Sequence, residues 1–137
     1  MALLREYKEI AYQWGIWKTE ESPEELLALL PDPERYEQQL TRFSSPHRKL
    51  EWLSVRVLLY QLLGEEKTIE YAPSGKPHLA DSSYFISISH TRGYVAVILS
   101  PVSEVGIDIE QYGQRVHKVA HKSVSYTHLR AHETRGN

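Results

Sequence analysis

The chain has 137 residues, of which 41% are hydrophobic and 25% are charged, a balance typical of one folded globular domain. A net charge of −2 argues against a general nucleic-acid-binding surface, and the absence of cysteine excludes disulfides, thiolate zinc sites and cysteine nucleophiles. Because no apolar run reaches the ~20 residues of a membrane helix and the charged start is unlike a secretory signal, we expect a cytoplasmic protein with neither membrane nor nucleic-acid partners.

The N-terminal part of the chain predicts a strand. In "AYQWGIWK", at positions 11–18, Tyr12, Trp14 and Ile16 alternate with Gln13 and other residues that would face the opposite side. The strand would therefore carry a large apolar face.

Three helices are predicted next, because three pairs place a capping residue directly before a proline, which suits the first helical position. The pairs are Ser22–Pro23, Asp32–Pro33 and Ser45–Pro46. The third helix is the longest and is predicted to end at Gly64. Its buried stripe is predicted to consist of Leu50, Leu53, Val57 and Tyr60.

The sequence changes character after Gly64, where Pro, Gly and Ser divide short runs rich in β-formers. Alternating apolar residues at 86–89, 95–99 and 105–110 predict three antiparallel strands joined by "HTRG" and "SPVSE". We therefore predict an α+β domain: a small antiparallel sheet of at least three strands, with helices packed on one face.

Two carboxylates, Asp108 and Glu110, end the last predicted strand. Residues two apart in a strand point the same way, so this pair would share one face while Ile107 and Ile109 enter the core. On spacing alone, the simpler interpretation is a solvated acidic face. The alternative is a bound cation, since two carboxylates with water and substrate phosphates suit Mg²⁺.

Three neighbouring residues favour the second interpretation. Ser89 and His90 lie at a predicted strand end, and Lys76 lies in a turn upstream, so a hydroxyl, an imidazole and an ammonium could surround a polyphosphate. Each also has a structural interpretation, as a strand edge, a turn residue or a solubilising charge. A nucleophilic Ser–His pair is disfavoured because adjacent strand residues point to opposite faces.

Four segments together resemble the two-domain 4′-phosphopantetheinyl transferases, of the type that activates surfactin synthetase. They are "HRKLEWLSVRVLL" at 47–59, "GKP" at 75–77, "ISISHTRG" at 86–93 and "GIDIE" at 106–110. The resemblance covers about residues 12 to 112. It implies transfer of phosphopantetheine from coenzyme A to a serine of an acyl or peptidyl carrier protein, with release of adenosine 3′,5′-bisphosphate.

The resemblance also implies roles for individual residues. Asp108 and Glu110 would hold Mg²⁺ on the pyrophosphate, and these two with His90 would form the catalytic set. Ser89 and His90 would touch the nucleotide and its phosphates, and Lys76 and Arg48 would engage phosphate groups. Because the attacking hydroxyl belongs to the carrier protein, the enzyme would need no nucleophile of its own.

The chain departs from the two-domain pattern, because it lacks the "WxxKE" motif that opens the second half in that family. We therefore interpret 1–122 as the N-terminal half of a pseudo-dimeric fold, and 123–137 as a non-native tail that we expect to be disordered. Activity would then be impaired in the chain as it stands. The alternatives are a non-catalytic module that binds coenzyme A or a carrier protein, and a Mg²⁺-dependent nuclease.

Overall fold

The computed structural model describes residues 3–112 and 115–122 and shows a four-stranded antiparallel sheet with helices. The strands are β1 (Leu3–Lys8), β2 (Gln13–Lys18), β3 (Ile69–Tyr71), β4 (Pro77–Leu79), β5 (Phe85–Thr91), β6 (Tyr94–Ser100), β7 (Val105–Tyr112) and β8 (Arg115–Lys122), and the helices are α1 (Pro23–Ala28), α2 (Glu34–Leu40) and α3 (Pro46–Leu63). The sheet has the order β1-β2-β6-β5, while β3–β4 and β7–β8 form separate hairpins. The predicted α+β class is confirmed.

Two of the three predicted helix starts are confirmed in detail. Ser22 and Glu25 form a reciprocal capping box at α1, and the Ser45 hydroxyl accepts the N–H of Arg48 at the start of α3. Gly64 ends α3 in the left-handed region, at φ 75°, where glycine avoids the steric cost of a side chain. The Asp32 cap is wrong: Pro33 itself precedes α2 in helical conformation, and no side chain caps that helix start.

The two faces of the sheet are covered by different layers. Helix α3 packs on one face and α1 packs against α3; Trp17, Leu58 and Val97 on this side belong to the larger core cluster. The other face carries Trp14 and Ile16 with the inward side of β7. The predicted helical layer on one face is therefore confirmed, and β6 is buried on both sides.

A glycine lets α3 come close to β2. A Cβ built on Gly15 would lie 2.9 Å from Leu58 Cδ1 and 3.3 Å from Leu62 Cδ2. Real Cβ atoms essentially never approach another heavy atom as closely as the first distance. A side chain at this position would therefore force Leu58 to shift, and the constraint is close packing rather than an unusual φ angle.

The predicted pairing of the third strand is wrong. Strands β5 and β6 pair antiparallel through a turn at Gly93, as expected, but β7 pairs with β8 and lies over the second face of the sheet. The cause lies at the end of β6. The buried Ser100 hydroxyl donates to Ala11 O at 2.7 Å and accepts the N–H groups of Val102 and Ser103 at 3.2 Å, so the chain turns away before a ladder with β6 can form.

The predicted tail at 123–137 lies outside the described residues. Within the part of the chain that is described, no helix is long and apolar enough to cross a lipid bilayer.

Candidate functional site

The two carboxylates lie on the outer face of β7. Ile107 and Ile109 are buried against the sheet, whereas Asp108 and Glu110 are exposed. Alternation along the strand produces this arrangement, as predicted from the sequence. The pair therefore faces away from the core, where water or a ligand can reach it.

Serine side chains connect this carboxylate strand to the sheet. Ile107 N–H donates to Ser87 Oγ at 3.4 Å, and Ile109 N–H donates to Ser89 Oγ at 3.2 Å. From the first contact to the second, the residue number rises by two on both strands, so β7 runs parallel to β5. Serine hydroxyls, rather than main-chain carbonyls, accept the N–H groups of β7 here. Ser89 thus supports the backbone between the two carboxylates.

Ser89→Ala should lower the free energy of unfolding by about 1 kcal/mol, because the partly buried Ile109 N–H loses its hydrogen-bond partner. Urea denaturation measures this loss. Ser87→Ala is a parallel test with a similar expected loss, since it removes the equivalent bond to Ile107. Unchanged stability in both variants would show that these hydroxyls do not hold β7.

A second group of side chains lies at the start of α3. We call it the α3 cluster; it consists of His47, Arg48, Glu51 and His90. Glu51 Oε2 contacts His47 Nε2 at 3.2 Å and His90 Nδ1 at 3.3 Å, and Glu51 Oε1 lies 4.0 Å from Arg48 Nε. The predicted Arg48 and His90 are therefore brought together through a residue that the sequence interpretation did not assign.

The fold explains why His90 and Ser89 serve different layers. They are adjacent on β5, so Ser89 points to β7 and His90 points to α3. The prediction that they are poorly placed as a nucleophilic pair agrees with these contacts. The sequence signal that could have found Glu51 is its spacing of four residues from His47, which places both on one helix face.

Lys76 occupies a third place, at the mouth of a cleft. The β3–β4 turn contains Gly75 at φ 93°, and Lys76 Nζ lies 3.6 Å from Glu104 Oε2. The cleft has a volume of about 460 Å³, and its lining includes Tyr84, Phe85 and Val105. Since Val105 begins β7, the cleft adjoins the start of the carboxylate strand.

One further charged residue of α3 lies below the surface. Arg56 is buried; its guanidinium stacks 3.9 Å above the Trp52 ring, and Nη1 donates to Trp52 O at 3.3 Å. Burial lowers the pKa of Arg56, and the electrostatic interaction with Tyr71 opposes that shift. The sequence analysis did not predict that this arginine is part of the core rather than the surface.

The donor set on β7 fits Mg²⁺ in part. Asp108 and Glu110 supply hard oxygen ligands on one exposed face, and Mg²⁺ commonly takes one or two carboxylates with waters and substrate phosphates. Among the side chains that the structure describes, no group of three or more His, Asp or Glu is placed to hold a metal. The remaining ligands would therefore come from water, substrate or a segment beyond those described.

The structure thus arranges the predicted residues in three places. Arg48 and His90 meet in the α3 cluster, Ser89 contacts the strand that carries Asp108 and Glu110, and Lys76 lies at the cleft. Because β5 contributes both Ser89 and His90, it connects the carboxylate strand to the α3 cluster.

The fold and the site define an α+β domain in which β5 lies between an acidic pair, Asp108 and Glu110, and the α3 cluster. No protein-family model matches the chain. It is 38% identical over 64 residues to 4′-phosphopantetheinyl transferase AcpT of Salmonella typhi, of Salmonella typhimurium and of Escherichia coli K12. Each match covers 46% of this chain and 33% of the relative, so it spans about a third of the curated relatives. The similarity supports a relationship to the 4′-phosphopantetheinyl transferase superfamily over less than half of the chain.

Proposed function

We propose that the chain is the N-terminal half of a two-domain 4′-phosphopantetheinyl transferase of the cytoplasm. The reaction moves 4′-phosphopantetheine from coenzyme A to a serine of an acyl or peptidyl carrier protein. The observation that carries the proposal is the 38% identity to curated transferases of that name. The arrangement of acidic and basic groups around β5 supports it. Basic side chains bind the oxygens of a pyrophosphate directly, and carboxylates hold the metal ion that binds the same group.

In this proposal the carrier's serine oxygen attacks the phosphorus that bears pantetheine. A new P–O bond forms, and the bond to the bridging oxygen breaks, so adenosine 3′,5′-bisphosphate leaves with the bonding electron pair. The serine proton passes to a base in the second half, the position that the family resemblance implies. The present chain supplies charge and orientation rather than a nucleophile.

The basic side chains of His90, Arg48 and Lys76 share one role in this proposal, which is to bind phosphate oxygens. His90 and Arg48 are exposed at the α3 cluster, and Lys76 is exposed at the cleft mouth. Arginine and lysine keep their charge across the physiological pH range, so both can offset phosphate charge. Ser89 accepts the Ile109 N–H, and its own O–H can still donate to a nucleotide.

Asp108 and Glu110 are proposed to hold Mg²⁺, which would stabilise negative charge on the phosphate oxygens when bound. What the chain itself contributes is a fixed pair of carboxylates. Burial of Ile107 and Ile109 orients the strand, and the two serine hydroxyls hold its backbone.

Transfer of a fluorescent coenzyme A derivative to a purified carrier protein tests the proposal. We expect labelling when the chain is extended by its natural second half, and no labelling of a carrier whose acceptor serine is replaced by alanine. The 137-residue chain alone should label weakly or not at all.

The other outcomes separate the alternatives. Coenzyme A binding without labelling, even by the extended protein, would indicate a binding module instead. Metal-dependent cleavage of nucleic acid would indicate a nuclease that uses the Asp108 and Glu110 pair, and either result would contradict the transferase.

A further inference from the structure

Glu51 is the centre of the α3 cluster. One of its oxygens, Oε2, contacts a ring nitrogen of both His47 and His90. Its side chain is 19% exposed, compared with 61% for His47 and 58% for His90. The carboxylate therefore lies beneath two imidazoles that face the solvent.

Neither stability nor simple electrostatics accounts for a carboxylate in this position. Ion pairs of exposed groups add little to folding, and a negative charge beside Arg48 weakens the attraction of the cluster for anions. A carboxylate on one nitrogen of a histidine does, however, fix the tautomer and the orientation of the ring. The contacts of Glu51 are therefore best explained by their effect on the orientation of the histidine rings.

We propose that Glu51 is a positioning residue for His90. It accepts the Nδ1–H of His90 and so turns Nε2 away from Glu51, where the Nε2–H of the doubly protonated ring donates to a phosphate group of coenzyme A. This inference rests on the proposed function for its ligand, whereas the Glu51–His90 contact is independent of it. Glu51 touches no substrate and acts through the imidazole.

The tautomer of His90 provides the first test. In ¹⁵N–¹H correlation spectra of the neutral rings, His90 should carry its proton on Nδ1, and Glu51→Ala should shift it toward Nε2. His78 is the internal reference, because its Nε2, not its Nδ1, lies 3.3 Å from Glu70 Oε1. Glu70→Ala should change the His78 signals and leave those of His90 unaltered.

Coenzyme A titrations of the 137-residue chain provide the second test. Glu51→Ala should weaken binding about fivefold, a size typical of a contact between exposed charged groups. His90→Ala should weaken it at least as much. If Glu51 acts through His90, the double variant should bind no worse than His90→Ala alone, since the two effects share one path.

The results distinguish a failure of the positioning role from a failure of the proposed function. Tighter coenzyme A binding in Glu51→Ala, or losses that add in the double variant, would overturn the positioning role. An unchanged His90 tautomer would overturn it as well. If the tautomer shifts but the wild-type chain and its natural extension bind no coenzyme A, the proposed function fails and the assigned ligand of Nε2 is wrong, while Glu51 still orients the ring.

Discussion

Asp108→Ala, in the protein extended by the second half that we propose, should lower turnover by about a hundredfold or more. Coenzyme A affinity should fall much less. Asp108 shares the exposed face of β7 with Glu110, and the loss of one carboxylate removes charge stabilisation that is needed mainly when the pyrophosphate bond breaks. Carrier labelling at saturating and at limiting Mg²⁺ measures turnover, and calorimetry measures affinity.

Glu37→Ala is the matched control, since Glu37 is another exposed carboxylate but lies on α2. It should retain turnover. If Asp108→Ala also kept near-normal turnover at limiting Mg²⁺, the assignment of this pair to a metal would be wrong.

Gly15→Val should destabilise the domain by about 2 to 3 kcal/mol, the usual cost of overpacking a filled core. Its Cβ would lie 2.9 Å from Leu58 Cδ1, and Leu58 is fully buried in the core cluster, so the leucine has little room to move. The midpoint of urea unfolding, compared with that of the wild type, measures the loss.

A double variant distinguishes overpacking from other causes. Leu58→Ala alone should cost about 2 to 5 kcal/mol by leaving a cavity. Combined with Gly15→Val, it should cost clearly less than the two losses together, because valine fills part of the space. Strict additivity would mean that the close approach at Gly15 is not the source of the effect.

The helix ends could be predicted because their signals are local. Ser45 caps α3 through a backbone group three residues away, and Gly64 ends it through its own conformation. The alternation of Asp108 and Glu110 with buried isoleucines is also visible within five residues. Such features need no knowledge of the remaining fold.

The course of β7 could not be predicted in the same way. The change of layer after β6 depends on Ser100, whose hydroxyl reaches Ala11 at the other end of the sequence. Strand β1 was missed for a related reason: its residues are mostly exposed, so they lack the apolar alternation that marks a half-buried strand.

The candidate site was predicted as a set of residues but not as an arrangement. Sequence patterns identified His90 and Arg48 separately, whereas their connection through Glu51 depends on α3 packing against the sheet. Contacts between distant segments have no periodic signal. A sequence alone therefore indicates which chemical groups are present better than which groups meet.

The partner of β2 has a consequence for how the chain acquires its structure. Lys18 pairs with Tyr94 and Gln13 with Leu99, so β2 enters the sheet only after α1, α2, α3 and the β5–β6 hairpin have been synthesised. During translation, Trp17 and Ile16 can pair with β1 but would remain without β6 while the ribosome makes the helices. The hairpin and α3 can form from local contacts, but closing this long loop is slow. We therefore expect the docking of the N-terminal strands onto β6 to be a late step of assembly.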